Sequence, residues 1–248
     1  MLYHSIALQL GEFLPSQARI FSLDIYRAIA VFLMVIFHFT YDLHHFGFSG
    51  IDTTKVAFWL NLRTFIVTMF MSAVGMSLYI VYARHFNLQK YKKRLILLGG
   101  ASTIVSIATY IIFPKTWIYF GVLHMIFIAS AIGPFFVKKP NISGVLGLMI
   151  IGLYLAGFRM TPLFELLQAP LHLPLRRTED LASFVPWFGV VLLGIFIMHH
   201  QLMQKIKIPE NKFTKKLAWV GQNTLAIYII HQPVLFALLG PLAYFLHK

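Results

Sequence analysis

Residues 27–42 read RAIAVFLMVIFHFTYD, an apolar run with a guanidinium at one end and an imidazole and a carboxylate at the other. With its flanks it covers residues 23–43, enough for a helix to cross about 30 Å of hydrocarbon at about 1.5 Å per residue. Lipid offers backbone groups no hydrogen-bond partner, so an uninterrupted run of this length is a spanning helix. That reading sets the frame for the whole chain.

Runs of the same kind recur. Seven spans are expected, at residues 23–43, 58–82, 95–113, 117–137, 142–158, 181–198 and 217–239, which makes an all-α polytopic transmembrane helical bundle. The chain of 248 residues is 58% hydrophobic and 12% charged, whereas soluble domains carry about a quarter charged residues. Residues 1–248 are read as one integral membrane domain, with 1–20 an interfacial lead-in. That lead-in lacks the positive start and the small-residue cleavage site of a signal peptide.

The formal charge of +13 does not point to nucleic acid, because the basic residues sit in short connections between apolar runs. Arg84, Lys90, Lys92, Lys93 and Arg94 follow the second run, Lys138 and Lys139 the fourth, and Lys205, Lys207, Lys212, Lys215 and Lys216 the sixth. Alternating spans put these three clusters on one side. Lys55, Lys115, Arg159, Arg176 and Arg177 fall on the other. The positive-inside rule then places the N-terminus in the cytoplasm and the C-terminus outside. The longest outer connection, residues 159–180, carries Pro162, Pro170 and Pro174 around an apolar middle and reads as a re-entrant or interfacial segment. The chain has no cysteine, which excludes disulfides, thiolate nucleophiles and cysteine-ligated metals. No internal repeat is visible, which counts against a secondary transporter.

Arg27 and His38 are eleven residues apart, on one helix face and separated by about 16 Å along the axis. Asp42 follows His38 by four and is expected to touch the imidazole; Asp24 precedes Arg27 by three and is expected to pair with it. Between these ends the face holds Ala30, Val31 and Met34, a bare strip along which a long flexible substrate arm could lie. Snorkelling of Arg27 and a structural interhelical bond from His38 are the plain alternatives. Ionisable groups inside a membrane nevertheless mark functional sites by default. His124, His231 and Arg63 lie at comparable depth in other runs, so His38, His124 and His231 are expected to converge in the outer half. None of the three shares a local metal-ligand spacing with another, so no metal is expected. The neighbours His44–His45 and His199–His200 point to different helix faces.

The segment RIFSLDIYRAIAVFLMVIFHFTYDLHHFG resembles the opening of the bacterial heparan-α-glucosaminide N-acetyltransferase-like proteins, relatives of the lysosomal enzyme. MFMSAVGMSLYIVYARHF, YFGVLHMIFIA, VPWFGVVLLGIFI and LAWVGQNTLAIYIIHQPVL continue the resemblance in the family's order over most of the chain. Transmembrane acyltransferases more widely place Arg, ten residues, then His in the first span, as Arg27 and His38 do here. The resemblance implies an enzyme of the bacterial inner membrane that passes an acetyl group from cytoplasmic acetyl-CoA to an amino sugar or glycan outside. It implies His38 as the catalytic histidine and Arg27 as a residue of the donor channel. Lysosomal-type relatives instead use a histidine in the following loop, which keeps His44 and His45 as rivals. Ala28 stands where the family usually has Gly.

The residues permit that chemistry. A base must take the acceptor's proton, and donors must stabilise the tetrahedral oxyanion. His38 is the candidate base with Asp42 fixing its tautomer, and His124, His231, Asn223, Arg63 and His45 are candidates for the oxyanion or the sugar. Asp24, Lys93 and Arg94 join Arg27 as candidates for the donor. The expected partners are the lipid bilayer, acetyl-CoA and a glycan, with a homo-oligomer left open. Transient acetylation of histidine and direct transfer are not distinguished. Two other classes remain: a proton-coupled transporter or flippase using the histidines as a relay, and a non-catalytic scaffold.

Overall fold

The computed structural model describes residues 20–158, 166, 168–170, 173, 178 and 180–246. The expected lead-in therefore lies outside the described residues, as do Arg159, Arg176, Arg177 and most of the segment 159–180. The helices are α1 (Phe21–His45), α2 (Ala57–Tyr82), α3 (Leu88–Ile112), α4 (Val122–Ile132), α5 (Pro140–Leu155), α6 (Phe184–His199), α7 (Lys212–Gln222) and α8 (Thr224–Leu246). Among the described residues the only pairing of β type is an isolated bridge between Phe120 and Leu181.

Four helices, α1, α2, α3 and α8, are long and apolar enough to cross a membrane. Val122–Phe135, Pro140–Leu155 and Phe184–His199 are shorter apolar helices. The third expected run, 95–113, starts earlier, at Leu88, where Asn87 Oδ1 accepts the Lys90 N–H at 3.0 Å, and the fifth, 142–158, is Pro140–Leu155. Three more differ in their bounds. The seventh, 217–239, is divided at Asn223, whose backbone and side-chain N–H groups cap the last carbonyls of α7. The fourth, 117–137, becomes helical only at Val122, because the Asp180 carboxylate accepts the Val122 N–H at 2.7 Å and caps the helix there. The sixth, 181–198, begins at Phe184, since Ala182 is held in extended form by a bond from its N–H to Phe120 O at 3.0 Å.

The chain divides into two compact units, residues 1–70 with 203–248 and residues 71–202. In the first, α1 packs against α7 and α8, and Ala30, Val31, Met34 and Phe37 form a buried core with Ile66, Met69 and Phe70 of α2. The turn before α2 is organised by Asp52. Its carboxylate accepts from the Thr54 N–H at 2.9 Å and lies 2.8 Å from the Lys55 ammonium. Hydrogen bonds from Lys55 and Thr54 hold that carboxyl well below the usual range.

The second unit is built on close helix crossings. A Cβ on Gly194 of α6 would stand 2.2 Å from the Ser72 carbonyl oxygen, and one on Gly75 of α2 would stand 1.9 Å from that of Val191. Gly189 and Gly147 make the same kind of backbone approach between α6 and α5. Where lipid removes the hydrophobic incentive to associate, such close packing supplies the attraction between helices. Gly194→Ala should lower stability by about 1–3 kcal/mol or more, as overpacking against a backbone that cannot move aside. Gly100→Ala, whose added Cβ meets nothing within 4 Å inside α3, should leave it unchanged or raise it by up to about 1 kcal/mol through helix propensity. Thermal unfolding of both variants in detergent checks the contrast.

Candidate functional site

The two ends of the α1 stripe are each closed by a residue from near the end of the chain. At one end His38 meets His231 of α8, with His38 Nδ1 and His231 Nε2 3.2 Å apart and the ring centroids separated by 4.8 Å. His38 Nδ1 also lies 3.0 Å from Met34 O, and His231 Nδ1 lies 2.7 Å from Tyr228 O. A backbone carbonyl only accepts, so each of these Nδ1 atoms carries the proton. His231 Nε2 is then a bare acceptor facing His38 Nδ1–H. His38 Nε2, the remaining lone pair, has no hydrogen-bond partner among the described residues. Both rings are half-buried. The geometry is that of a base fixed in one tautomer with its reactive nitrogen uncommitted.

Asp42 does not make the contact with His38 expected from the spacing of four. Helical side chains lean toward the helix N-terminus, so the His38 ring turns back onto Met34 rather than forward to Asp42. Asp42, fully buried, instead accepts from Gln232 Nε2 through Oδ1 at 2.7 Å. Its Oδ2 and the Gln232 Oε1 are buried acceptors with no hydrogen-bond partner among the described residues, as is the Thr53 hydroxyl. Buried polar atoms are normally satisfied. Two unmet acceptors on one bonded pair, one residue along α8 from His231, match a ligand rich in N–H or O–H donors.

At the other end the expected ion pair is present, with Arg27 Nη1 3.1 Å from Asp24 Oδ1. The second carboxylate oxygen accepts from Gln222 Nε2 of α7 at 3.0 Å. Gly221 allows that approach, since a Cβ there would lie 1.8 Å from Asp24 O. The strip between the two ends differs from expectation. Ala30, Val31 and Met34 are core residues at 0–2% exposure, packed against other helices, so they offer no open track for a substrate arm.

The other expected residues are distributed as follows. His124 belongs to the second unit and spends both ring nitrogens on structure: Nδ1 accepts the Gly121 N–H at 3.2 Å and Nε2 lies 3.0 Å from Ser106 Oγ. Arg94, in the same unit, donates from Nε to Ser130 Oγ at 3.0 Å, and Lys93 is exposed. Asn223 caps α7 through Nδ2 to Trp219 O at 2.8 Å. Arg63 is exposed on α2, within electrostatic reach of His38. His44 Nδ1 faces Ser49 O at 3.0 Å, and its Nε2 lies 4.0 Å from Asp52 Oδ2. His45 is exposed and packs its ring against Tyr41, Phe46 and Phe236. Among the described residues no three His, Asp or Glu side chains gather as a metal-ligand set.

Gln222 and Gln232 escaped the reading of the sequence. The available signal was the presence of two primary amides in an apolar run, since an amide in hydrocarbon must find a partner. Buried carboxylates on α1 were the natural candidates.

No curated protein and no solved structure matches the chain. A sequence model of the family described as heparan-alpha-glucosaminide N-acetyltransferase, catalytic, matches residues 19–233. That segment holds Asp24, Arg27, His38 and Asp42 together with Gln222, His231 and Gln232, so both ends of the stripe fall within it. By a match over most of its length, this chain belongs to the heparan-α-glucosaminide N-acetyltransferase catalytic family.

Proposed function

We propose that this chain is a membrane-embedded acetyltransferase that moves the acetyl group of acetyl-CoA to an amino sugar or glycan across a bacterial inner membrane. The observation that carries the reading is the His38–His231 pair, which leaves His38 Nε2 free as a base. In this reading the whole chain is one membrane domain, the three shorter apolar helices cross with the longer ones, and the Arg27 end faces the cytoplasm.

His38 Nε2 takes the proton from the acceptor's N–H or O–H as that atom attacks the thioester carbonyl. His38 becomes an imidazolium whose Nδ1–H is shared between Met34 O and His231 Nε2, the support first expected from Asp42. Arg63 lies in range to favour the tetrahedral oxyanion. The carbon–sulfur bond then breaks, and the leaving CoA thiolate recovers the proton from His38. Asp42 and Gln232 hold the acceptor through their unmet oxygens. Arg27, fixed by Asp24, turns to the donor's phosphates. The thioester reaches His38 by a path other than the packed Ala30–Met34 strip.

His38→Ala should reduce transfer of labelled acetyl from acetyl-CoA to an amino-sugar panel by about 10²–10⁴-fold, the usual contribution of a general base. Unchanged turnover would remove His38 from the mechanism and return the role to His44 or His45. Gln232→Leu should raise the acceptor KM about tenfold or more, the equivalent of about 1.4 kcal/mol, while leaving the acetyl-CoA KM near its original value. Steady-state kinetics with each substrate varied in turn separates the two. The relay-transporter reading uses the same His–His contact but consumes no thioester. Release of CoA thiol in step with acetylated acceptor distinguishes them.

A further inference from the structure

Helix α7 presents a face that the acetyl-transfer chemistry does not use. Lys212, Lys215, Lys216 and Trp219 stand at spacings of three and four residues, so they share one side of the helix. All four are exposed, Trp219 at 60%. The opposite side holds the buried Ala218 and Gly221, and Gly221 is pressed against the α1 backbone at Asp24. The helix is firmly started. Asn211 Oδ1 accepts the Thr214 N–H, and Thr214 Oγ1 accepts the Asn211 N–H, each at 2.9 Å. Glu210 lies 3.8 Å from Lys215, and it is the acid among the lysines of the segment 205–216.

A single residue, Asn223, separates α7 from α8, a helix of spanning length. The cationic face therefore sits at the boundary of the hydrocarbon. An exposed indole set among lysines there matches the headgroup layer, where tryptophan is enriched and ammonium groups meet phosphate. We propose that this face of α7 binds the headgroups of anionic phospholipids in the leaflet it borders. Each lysine near an anionic surface strengthens association about fivefold. Annular contact with any lipid would give no such preference. Lys215 and Lys216 also have a competing occupant, the phosphates of acetyl-CoA, and the test separates the two.

The full chain is reconstituted in phosphatidylcholine nanodiscs containing a minority of lipid with a doxyl quencher high on the acyl chain. The labelled lipid is either phosphatidylglycerol or phosphatidylcholine. The Trp219 signal is the fluorescence difference between the protein and Trp219→Phe. Labelled phosphatidylglycerol should quench that signal at least about fivefold more effectively per label, the preference that one lysine supplies. Substituting Lys212→Gln, Lys215→Gln and Lys216→Gln together should equalise the two lipids, and the three Lys→Arg changes should preserve the preference. Equal quenching by both lipids in the unsubstituted protein overturns the proposal. So does loss of the preference on adding saturating CoA, which would assign the lysines to the donor. None of these readouts depends on acetyl transfer, so the proposal stands or falls apart from the enzymatic reading.

Discussion

A carboxylate removed from water must be met by donors inside the protein, and α1 carries two such groups. Asp24 is 5% exposed and Asp42 is fully buried. Leaving either without a partner would cost several kcal/mol, by the usual penalty for an uncompensated buried ion. Each is met by a glutamine amide, Gln222 and Gln232, from the C-terminal helices. The two ties run in the same order along α1 and along the α7–α8 segment. They fix both the register and the direction of the last helix against the first. The His38–His231 contact falls between them in sequence and follows from that register. The candidate site is thus a by-product of how α1 satisfies its own polar groups.

The two units reach their packing by different physics. In residues 71–202, glycines on α2, α5 and α6 bring backbones into direct approach, and attraction comes from many weak dispersion contacts. In the unit of residues 1–70 and 203–248, hydrogen bonds to charged groups do more of the specifying, with Gly221 allowing the close approach that lets α7 in. Hydrogen-bonded ties dictate geometry closely, as a site needs. Glycine crossings tolerate sliding less by direction than by volume, as a scaffold needs.

Much of the first unit was legible from the sequence. The bounds of α1 and α2 follow from apolar run length, and the Asp24–Arg27 pair follows from a spacing of three. Depth in separate runs led to an expected convergence of His38, His124 and His231, of which the structure shows the His38–His231 contact, His124 bonding instead to Ser106 and Gly121. What stayed hidden depended on direction or on distant contacts. A hydropathy average runs over the break at Asn223, because the polar stretch Gln222–Thr224 is short and apolar residues flank it on both sides; the break comes from a capping side chain. The start of α4 is set by Asp180, 58 residues further along. Spacing alone allowed Asp42 to reach His38, but the lean of helical side chains sends the ring the other way. The bare strip of Ala30, Val31 and Met34 looked like a track because a helical wheel shows which residues share a face. It does not show what covers them.

The separation of partners along the chain has a consequence for biosynthesis. His38 and His231 are 193 residues apart, and the two glutamine ties span 198 and 190. While α1 leaves the ribosome and enters the bilayer, nothing yet made can satisfy Asp24 Oδ2 or Asp42, or set the partner of His38. These groups meet their α7 and α8 partners only when the last helices are made. The His38–His231 pair therefore forms only once the last helix is made, and the candidate site is completed late in synthesis.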